Sequence, residues 1–277
     1  MITMLRYLAM LGLMCAFVPS TFAQLIVAHR GASYDAPENT LSAFKLAMEQ
    51  GADAFEADFY VTADGHIVCF HDKDTERISG EKLSITATPF DRLRRLDVGL
   101  WKDPRWQGER MPTMSEVLAA VPQGKKIFIE LKSGPEIVAP MAEAIAASSL
   151  APEQIVIISF NEDAVAECKR RLSHLKACWL CGFKEPKDGK GKTPPTIEEV
   201  IATLKRIGAD ALDAEAVPER VNKDFIQQLR DAGHAEFHVW TVNDPEVARF
   251  YRDLGVASIT TDRPGWLREQ LEVAESR

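Results

Sequence analysis

The chain is 277 residues long, 46% apolar and 27% charged, with a formal net charge of −8 at pH 7. That acidic balance excludes a surface that tracks nucleic-acid phosphates, which needs concentrated positive charge, so a small anionic ligand would have to find a local basic pocket. In chain order, Arg6, the apolar stretch Leu8–Val18 and Pro19-Ser-Thr-Phe-Ala23 have the form of a secretory signal, too short to span a bilayer comfortably. Residues 1–23 are therefore expected to be removed, leaving a domain over 24–277 that is secreted, with a bacterial periplasm as the expected compartment and no stable membrane insertion. An uncleaved anchor is the alternative.

Beyond that segment, short apolar runs alternate with helical patterns, the signature of parallel strands joined by crossover helices. The strand candidates are Leu25–His29, Ala54–Tyr60, Ile67–His71, Ile127–Leu131, Ile155–Phe160, Ala177–Gly182, Ala209–Asp213, Glu236–Val242 and Ala257–Thr261. Helical patterns fill the gaps at Thr40–Gln50, Thr113–Ala120, Pro135–Ala147, Glu162–Leu172, Ile197–Ile207, Lys223–Ala232, Asp244–Leu254 and Trp266–Ala274. Gly51, Gly208, Gly233 and Gly255 each follow a helix and precede a strand, where a left-handed cap is expected.

The pattern predicts an α/β fold, a TIM-type (β/α)8 barrel with a small insertion near the catalytic mouth; a doubly wound open sheet is the runner-up. One strand candidate is surplus. Thr62-Ala-Asp-Gly65 is too short for a parallel crossover and suits a hairpin, so the second and third strands are expected to be antiparallel. If Thr62 and Gly65 close the turn, Glu56 lies opposite His71 and Asp58 opposite Cys69, unless a bulge shifts the pairing by one residue. Residues 73–111, with Trp101 and Trp106, read as the insertion, its tryptophans more readily packing on the barrel than touching substrate. Cys69, Cys168, Cys178 and Cys181 permit disulfides in an oxidising compartment without requiring them. Cys178 and Cys181 lie three apart in a strand and face opposite ways, which favours structural over redox roles.

In a β/α barrel the C-terminal strand ends converge, so polar residues that end apolar strands are the first site candidates. They include His29-Arg30, Glu56 with Asp58, Glu130 with Lys132, His71-Asp72, and Thr241 to Asp244. Glu56 and Asp58 are two apart and share a face, as do Glu130 and Lys132. Three carboxylates aimed at one point repel, and a hard divalent cation such as Mg2+ or Ca2+ would relieve that repulsion; ion pairing with Lys132 and Arg30 on a polar rim is the competing reading. Taken singly, His29 and His71 read as structural, but together beside three acids they suit proton transfer in both directions.

The run Val27-Ala-His-Arg-Gly-Ala32, then Ala36-Pro-Glu-Asn-Thr40 with Ala43-Phe44, resembles the opening of glycerophosphodiester phosphodiesterases, a family within the phospholipase C-like phosphodiesterase barrels. The resemblance continues through Gly51-Ala-Asp53, Glu56-Ala-Asp58, Thr62-Ala-Asp-Gly65 and His71-Asp72, then Met111-Pro-Thr-Met-Ser-Glu-Val-Leu118, Ile129-Glu-Leu-Lys132, Ser159-Phe160, Trp240-Thr-Val-Asn243 and Thr261-Asp-Arg-Pro264. Each piece is weak alone; the ordered set is specific. Ala57 and Cys69-Phe70 depart from the family's usual residues without removing a functional group.

The resemblance implies metal-dependent hydrolysis of a small glycerophosphodiester to glycerol 3-phosphate and an alcohol. His29 and His71 would be general acid and base, Glu56, Asp58 and Glu130 would hold the divalent metal, Arg30 and Lys132 would meet the phosphate, and Phe160 and Trp240 would line the pocket. Glu38 and Asn39 could support the site by hydrogen bonds, although Asn39 also suits a helix N-cap, which is the favoured reading. A phospholipase D-like enzyme acting on lysophospholipid or sphingomyelin and a non-catalytic binding or surface protein are the rivals. The oligomeric state has no sequence signal.

Overall fold

The computed structural model describes residues 24–186 and 193–275, so the secretory-signal reading of residues 1–23 lies outside the described residues. The strands are β1 Leu25–Ala28, β2 Ala54–Val61, β3 Ile67–Cys69, β4 Lys126–Leu131, β5 Ile155–Ser159, β6 Lys176–Cys181, β7 Ala211–Glu215, β8 Phe237–Trp240 and β9 Ser258–Thr261. They pair in the order β1-β9-β8-β7-β6-β5-β4-β2, and β1 also pairs with β2, which closes an eight-stranded parallel barrel. The expected barrel is therefore the fold observed, and the surplus ninth strand, β3, runs antiparallel along β2 outside the closed ring.

Alternation along the strands divides the apolar residues into two layers. Val27, Ala54, Phe128, Val156, Ile158, Cys178, Leu180 and Ala211 fill the barrel interior. The alternate residues, among them Ile26, Phe55, Ile129, Ile157, Leu212 and Val239, meet the surrounding helices. Phe55 stacks on Phe44 of helix Leu41–Glu49 at 4.4 Å between ring centroids, so the helix after β1 is pressed against β2. Cys178 belongs to the inner layer and Cys181 to the outer, as their spacing requires, and all four described cysteines are buried free thiols.

The ring is not stitched evenly. β1 and β9 pair in register along four consecutive residues, Leu25 with Ser258 through Ala28 with Thr261. On the outer flanks of this pair, β1 meets β2 at Val27–Ala54 and Ala28–Phe55, and β9 meets β8 at Ser258–His238 and Ile259–Val239.

Two expectations need correction. The hairpin closes at Thr62 and His66, whose backbone N–H to O distance is 2.8 Å, rather than at Thr62 and Gly65. Gly65, at φ +84°, supplies the left-handed residue of a three-residue loop, and the extra residue shifts the register so that Cys69 pairs with Phe59 and not Asp58. β7 begins at Ala211 rather than Ala209, because residues 209–210 still belong to the helix exit: the Ala209 N–H returns to the Leu204 carbonyl, and the Asp210 carboxylate accepts from the Ala177 N–H. Gly51, Gly208, Gly233 and Gly255 all have positive φ, as expected of helix ends.

The insertion has its own small core. Ile78, Leu83, Ile85, Leu93, Val98 and Met111 bury themselves against Tyr60, Val68 and Phe70 of the β2–β3 hairpin. This fixes the segment beside the C-terminal end of β2.

Candidate active site

The loop after β1 begins with His29, whose N–H donates to the Thr261 carbonyl at 2.8 Å, tying it to the end of β9. Its Nδ1 lies 2.7 Å from Asp262 Oδ1. Asp262 also accepts from Ser33 Oγ at 3.0 Å and from Asn243 Nδ2 at 2.6 Å. Burial opposes its charge, but these partners win and hold the carboxyl at about 2. An ionised carboxylate only accepts, so His29 Nδ1 carries the proton in that bond and Nε2 is left for other work.

Arg30 and Asn39 sit at φ +55° and +58°, unusual for residues with side chains. The turn is packed too closely to relax: a Cβ added at Gly31 would stand 2.6 Å from the Ala43 backbone carbon. The result is that the Arg30 N–H donates to Glu56 Oε2 at 2.9 Å, while its guanidinium faces Glu38 Oε1 at 3.0 Å and Asp58 Oδ2 at 3.3 Å.

Asn39 is not the helix N-cap. Thr40 caps the helix through the Ala43 N–H, and Asn39 instead donates to Asp58 Oδ2 at 2.8 Å and accepts from the Asp58 N–H at 3.2 Å and from Cys69 Sγ at 3.1 Å. The competing expectation, a supporting role at the site, is the one observed.

Asp58 and Glu130 are register partners on β2 and β4, and Glu56 precedes Asp58 on the same inward face. Carboxylate oxygens of all three lie within 4.8 Å of one another. Lys132 Nζ is 2.8 Å from Glu130 and 3.4 Å from Asp58. Burial and the neighbouring carboxylates push Glu56 well above the usual range and Glu130 up to about 8. Burial acts on Asp58 in the same sense, but Lys132, Arg30 and His71 outweigh it and hold Asp58 near 2. Glu56 Oε1 and Asp58 Oδ1 are buried without a hydrogen-bond partner. A cluster of oxygen donors with two unmet acceptors and too much negative charge fits a divalent cation.

The Phe70 N–H donates to the Asp58 carbonyl at 3.0 Å, so the chain leaves β3 level with the acids and delivers His71 there. In the observed register His71 falls level with Ala57, not Glu56, yet it still lies in the fields of Asp58, Arg30 and Lys132. Burial and those cations depress His71 against the pull of Asp58 and Asp72. Its Nδ1 is 2.7 Å from Asp72 Oδ1.

Phe160 and Trp240 follow β5 and end β8, strands that are not neighbours, so their perpendicular contact at 5.4 Å spans the mouth. Trp240 Nε1 donates to the Asp213 carbonyl, and Phe160 is 47% exposed. Trp101 is 38% exposed; its indole N–H goes to the Val98 carbonyl, and Arg77 and Lys102 lie over its ring. Sequence reasoning missed Asp262 and Arg77. Asp262 had a signal, being an acid just past a strand end, whereas Arg77 had none.

The sequence matches the glycerophosphoryl diester phosphodiesterase family over residues 29–266. A glycerophosphodiester phosphodiesterase of Caldanaerobacter subterraneus subsp. tengcongensis is 38% identical over 171 residues, covering 58% of this chain and 69% of the relative. A Bacillus subtilis enzyme of the same name is 26% identical over 257 residues, covering 87% of this chain and 84% of its own. Among solved structures, an Oleispira antarctica phosphodiesterase in complex with the product sn-glycerol-3-phosphate superposes with a TM-score of 0.75 at 25% identity, covering 91% of this chain and 98% of that one.

Proposed function

Since the chain belongs to the glycerophosphoryl diester phosphodiesterase family and is an enzyme of that kind, we propose that it works with a divalent cation held by Glu56, Asp58 and Glu130 and with His29 and His71 as its acid–base pair. One observation carries this reading: each imidazole has its Nδ1 2.7 Å from a carboxylate, at the barrel end that also holds three buried acids. Holding Nδ1 leaves Nε2 of each ring to exchange a proton with substrate. Mg2+ or Ca2+ suits an all-carboxylate set and, when bound, supplies positive charge for the phosphate's non-bridging oxygens.

In the proposed reaction Arg30 and Lys132 hold the phosphate, and Phe160 and Trp240 form the apolar wall. One histidine takes the proton of the attacking hydroxyl as its oxygen bonds to phosphorus. The bond from phosphorus to the departing alcohol breaks, and the other histidine protonates that oxygen. The substrate's own glycerol hydroxyl is the favoured nucleophile, because intramolecular attack exploits proximity; water then opens the cyclic glycerol phosphate to glycerol 3-phosphate. The product bound in the Oleispira structure agrees with this product class. Export from the cytoplasm is part of the proposal and rests on residues 1–23 alone.

The test is release of glycerol 3-phosphate from glycerophosphocholine with Mg2+ or Ca2+, and its loss on chelation. Metal-supplied protein that bound the substrate and released nothing would overturn the reading. Preferential cleavage of lysophospholipid or sphingomyelin in liposomes would move it to a phospholipase D-like activity. A cyclic product seen by phosphorus NMR in slowed variants would support the intramolecular route, and its absence throughout would favour direct attack by water.

A further inference from the structure

We infer that Arg77, contributed by the insertion, is a positioning residue that clamps the phosphate-binding and proton-transfer halves of the site together; the inference rests on the reading of Arg30 and His71 given above. Its guanidinium is shared between two carboxylates. Nη1 and Nη2 face Glu38 Oε2 and Oε1 at 3.0 and 2.7 Å, and Nε donates to Asp72 Oδ2 at 2.6 Å. Glu38 Oε1 also accepts from Arg30, and the other oxygen of Asp72 meets His71 Nδ1. An unbroken chain of charge-assisted bonds thus runs His71, Asp72, Arg77, Glu38, Arg30. Only a planar fork with donors on three nitrogens can serve both acids at once, which a lysine cannot do.

The insertion is built to hold that fork in place. Ile78 anchors the short helix Glu76–Ser79 in the insertion core, and the Trp101 ring lies 5.7 Å from the Arg77 guanidinium carbon. Without Arg77, Glu38 keeps only Arg30 as a partner and competes with substrate phosphate for it. Asp72 in turn loses the bond that fixes its angle to His71. The clamp therefore acts on phosphate capture and on imidazole orientation together, although Arg77 itself need not touch substrate.

The groups facing His71 are Asp72, Asp58, Arg30 and Lys132, and Arg77 reaches it through Asp72. Removing the Arg77 charge leaves the Asp72 carboxylate uncompensated, so the His71 titration should move to higher pH. The experiment compares Arg77→Ala and Arg77→Lys with wild type in the Mg2+-loaded protein, by kcat and KM for glycerophosphocholine, histidine NMR titration and thermal unfolding. Arg77→Ala is expected to lose about 10²-fold in kcat, as misplacement of catalytic groups by roughly 1 Å can cost, to raise KM, and to shift the His71 titration upward. Arg77→Lys should return the titration toward wild type while recovering less than about tenfold of the lost kcat, because the charge is restored and the fork is not.

Wild-type turnover in Arg77→Ala, or an activity loss that follows only the fall in melting temperature with the His71 titration unmoved, would overturn the clamp. If wild type itself released nothing from any glycerophosphodiester, the proposed function would fall, and the His71 titration would still decide whether Arg77 acts on that imidazole.

Discussion

The two histidines stand in unlike surroundings. His29 is held by the barrel itself: its backbone is bonded to Thr261, its Nδ1 meets Asp262, and Asp262 is fixed by Ser33 of His29's own loop and by Asn243 of the loop after β8. His71 is held from outside the ring, by Asp72 and then by Arg77, whose side chain is 45% exposed. A carboxylate with three rigid partners sets one imidazole orientation, whereas one whose further partner sits on a surface segment sets an orientation that depends on that segment. The first arrangement is a property of the fold, and the second can be tuned without altering the barrel.

The hardest test of this contrast is to remove each imidazole. His29→Ala and His71→Ala should each lower kcat by about 10²–10⁴-fold, the range for a general acid or base, since both steps need a proton carrier however that carrier is held. Full activity in either variant would break the pairing. Loosening the insertion should separate the two sides: Ile85→Ala, deep in the insertion core, should cost about 2–5 kcal/mol of the stability holding that segment. Its activity loss should resemble that of Arg77→Ala, with the His29 NMR signal unmoved.

Carboxylate changes are expected to be smaller and unequal. Asp262→Asn should lower kcat by about 10²-fold and Asp72→Asn by about tenfold, because the Asp58 carboxylate still acts on His71 when Asp72 loses its charge; equal losses would erase the distinction. Acidity should also weaken binding of a divalent cation at the three acids. Glu130, raised to about 8, must give up its proton to bind an ion. Mg2+ affinity measured by calorimetry should therefore fall by at least about tenfold for each pH unit below that value, since Glu56, also raised, must lose its proton too.

Deeper in the barrel, Asp213 offers a control that should leave both histidines alone. Burial raises its carboxyl from 3.8 to about 6, and its Oδ1 has no hydrogen-bond partner. A raised carboxyl pKa contributes nothing unfavourable below the unfolded value and costs stability as pH climbs from about 4 to 6. Asp213→Asn should remove that decline, worth about 3 kcal/mol at neutral pH, without changing proton-transfer kinetics.

Much of this was legible in the sequence. Short apolar runs between helical patterns gave the strands, and the two-residue period put Glu56 with Asp58 and Glu130 with Lys132 on shared faces, since facing is a local property of a strand. The surplus strand was recognised because a four-residue link cannot cross a barrel. What the sequence hid was of two kinds. A single residue in the Ala63–Gly65 loop decided the hairpin register, and a turn of either length was compatible with Asp-Gly. The partner that orients His29 comes from far away, Asp262 being 233 positions on, and although Asp72 adjoins His71, the Arg77 that holds it meets Glu38 across 39 positions. No periodicity spans such distances, and a lone acid or arginine looks like solvent-facing surface until the fold brings it home. Asn39 failed as a cap for a related reason, because the stronger claim on its amide came from Asp58 on another strand.

The long β1–β9 register and the shorter ladders on either side of it carry a mechanical consequence. His29 and Asp262 each leave from one strand of that pair, so any breathing of the ring should carry them together. The three acids ride on β2 and β4, across the short ladder. Flexing there would vary the gap between His29 and the acids, within the limit set by the Arg30 N–H bond to Glu56, while the imidazole keeps its heading on Asp262.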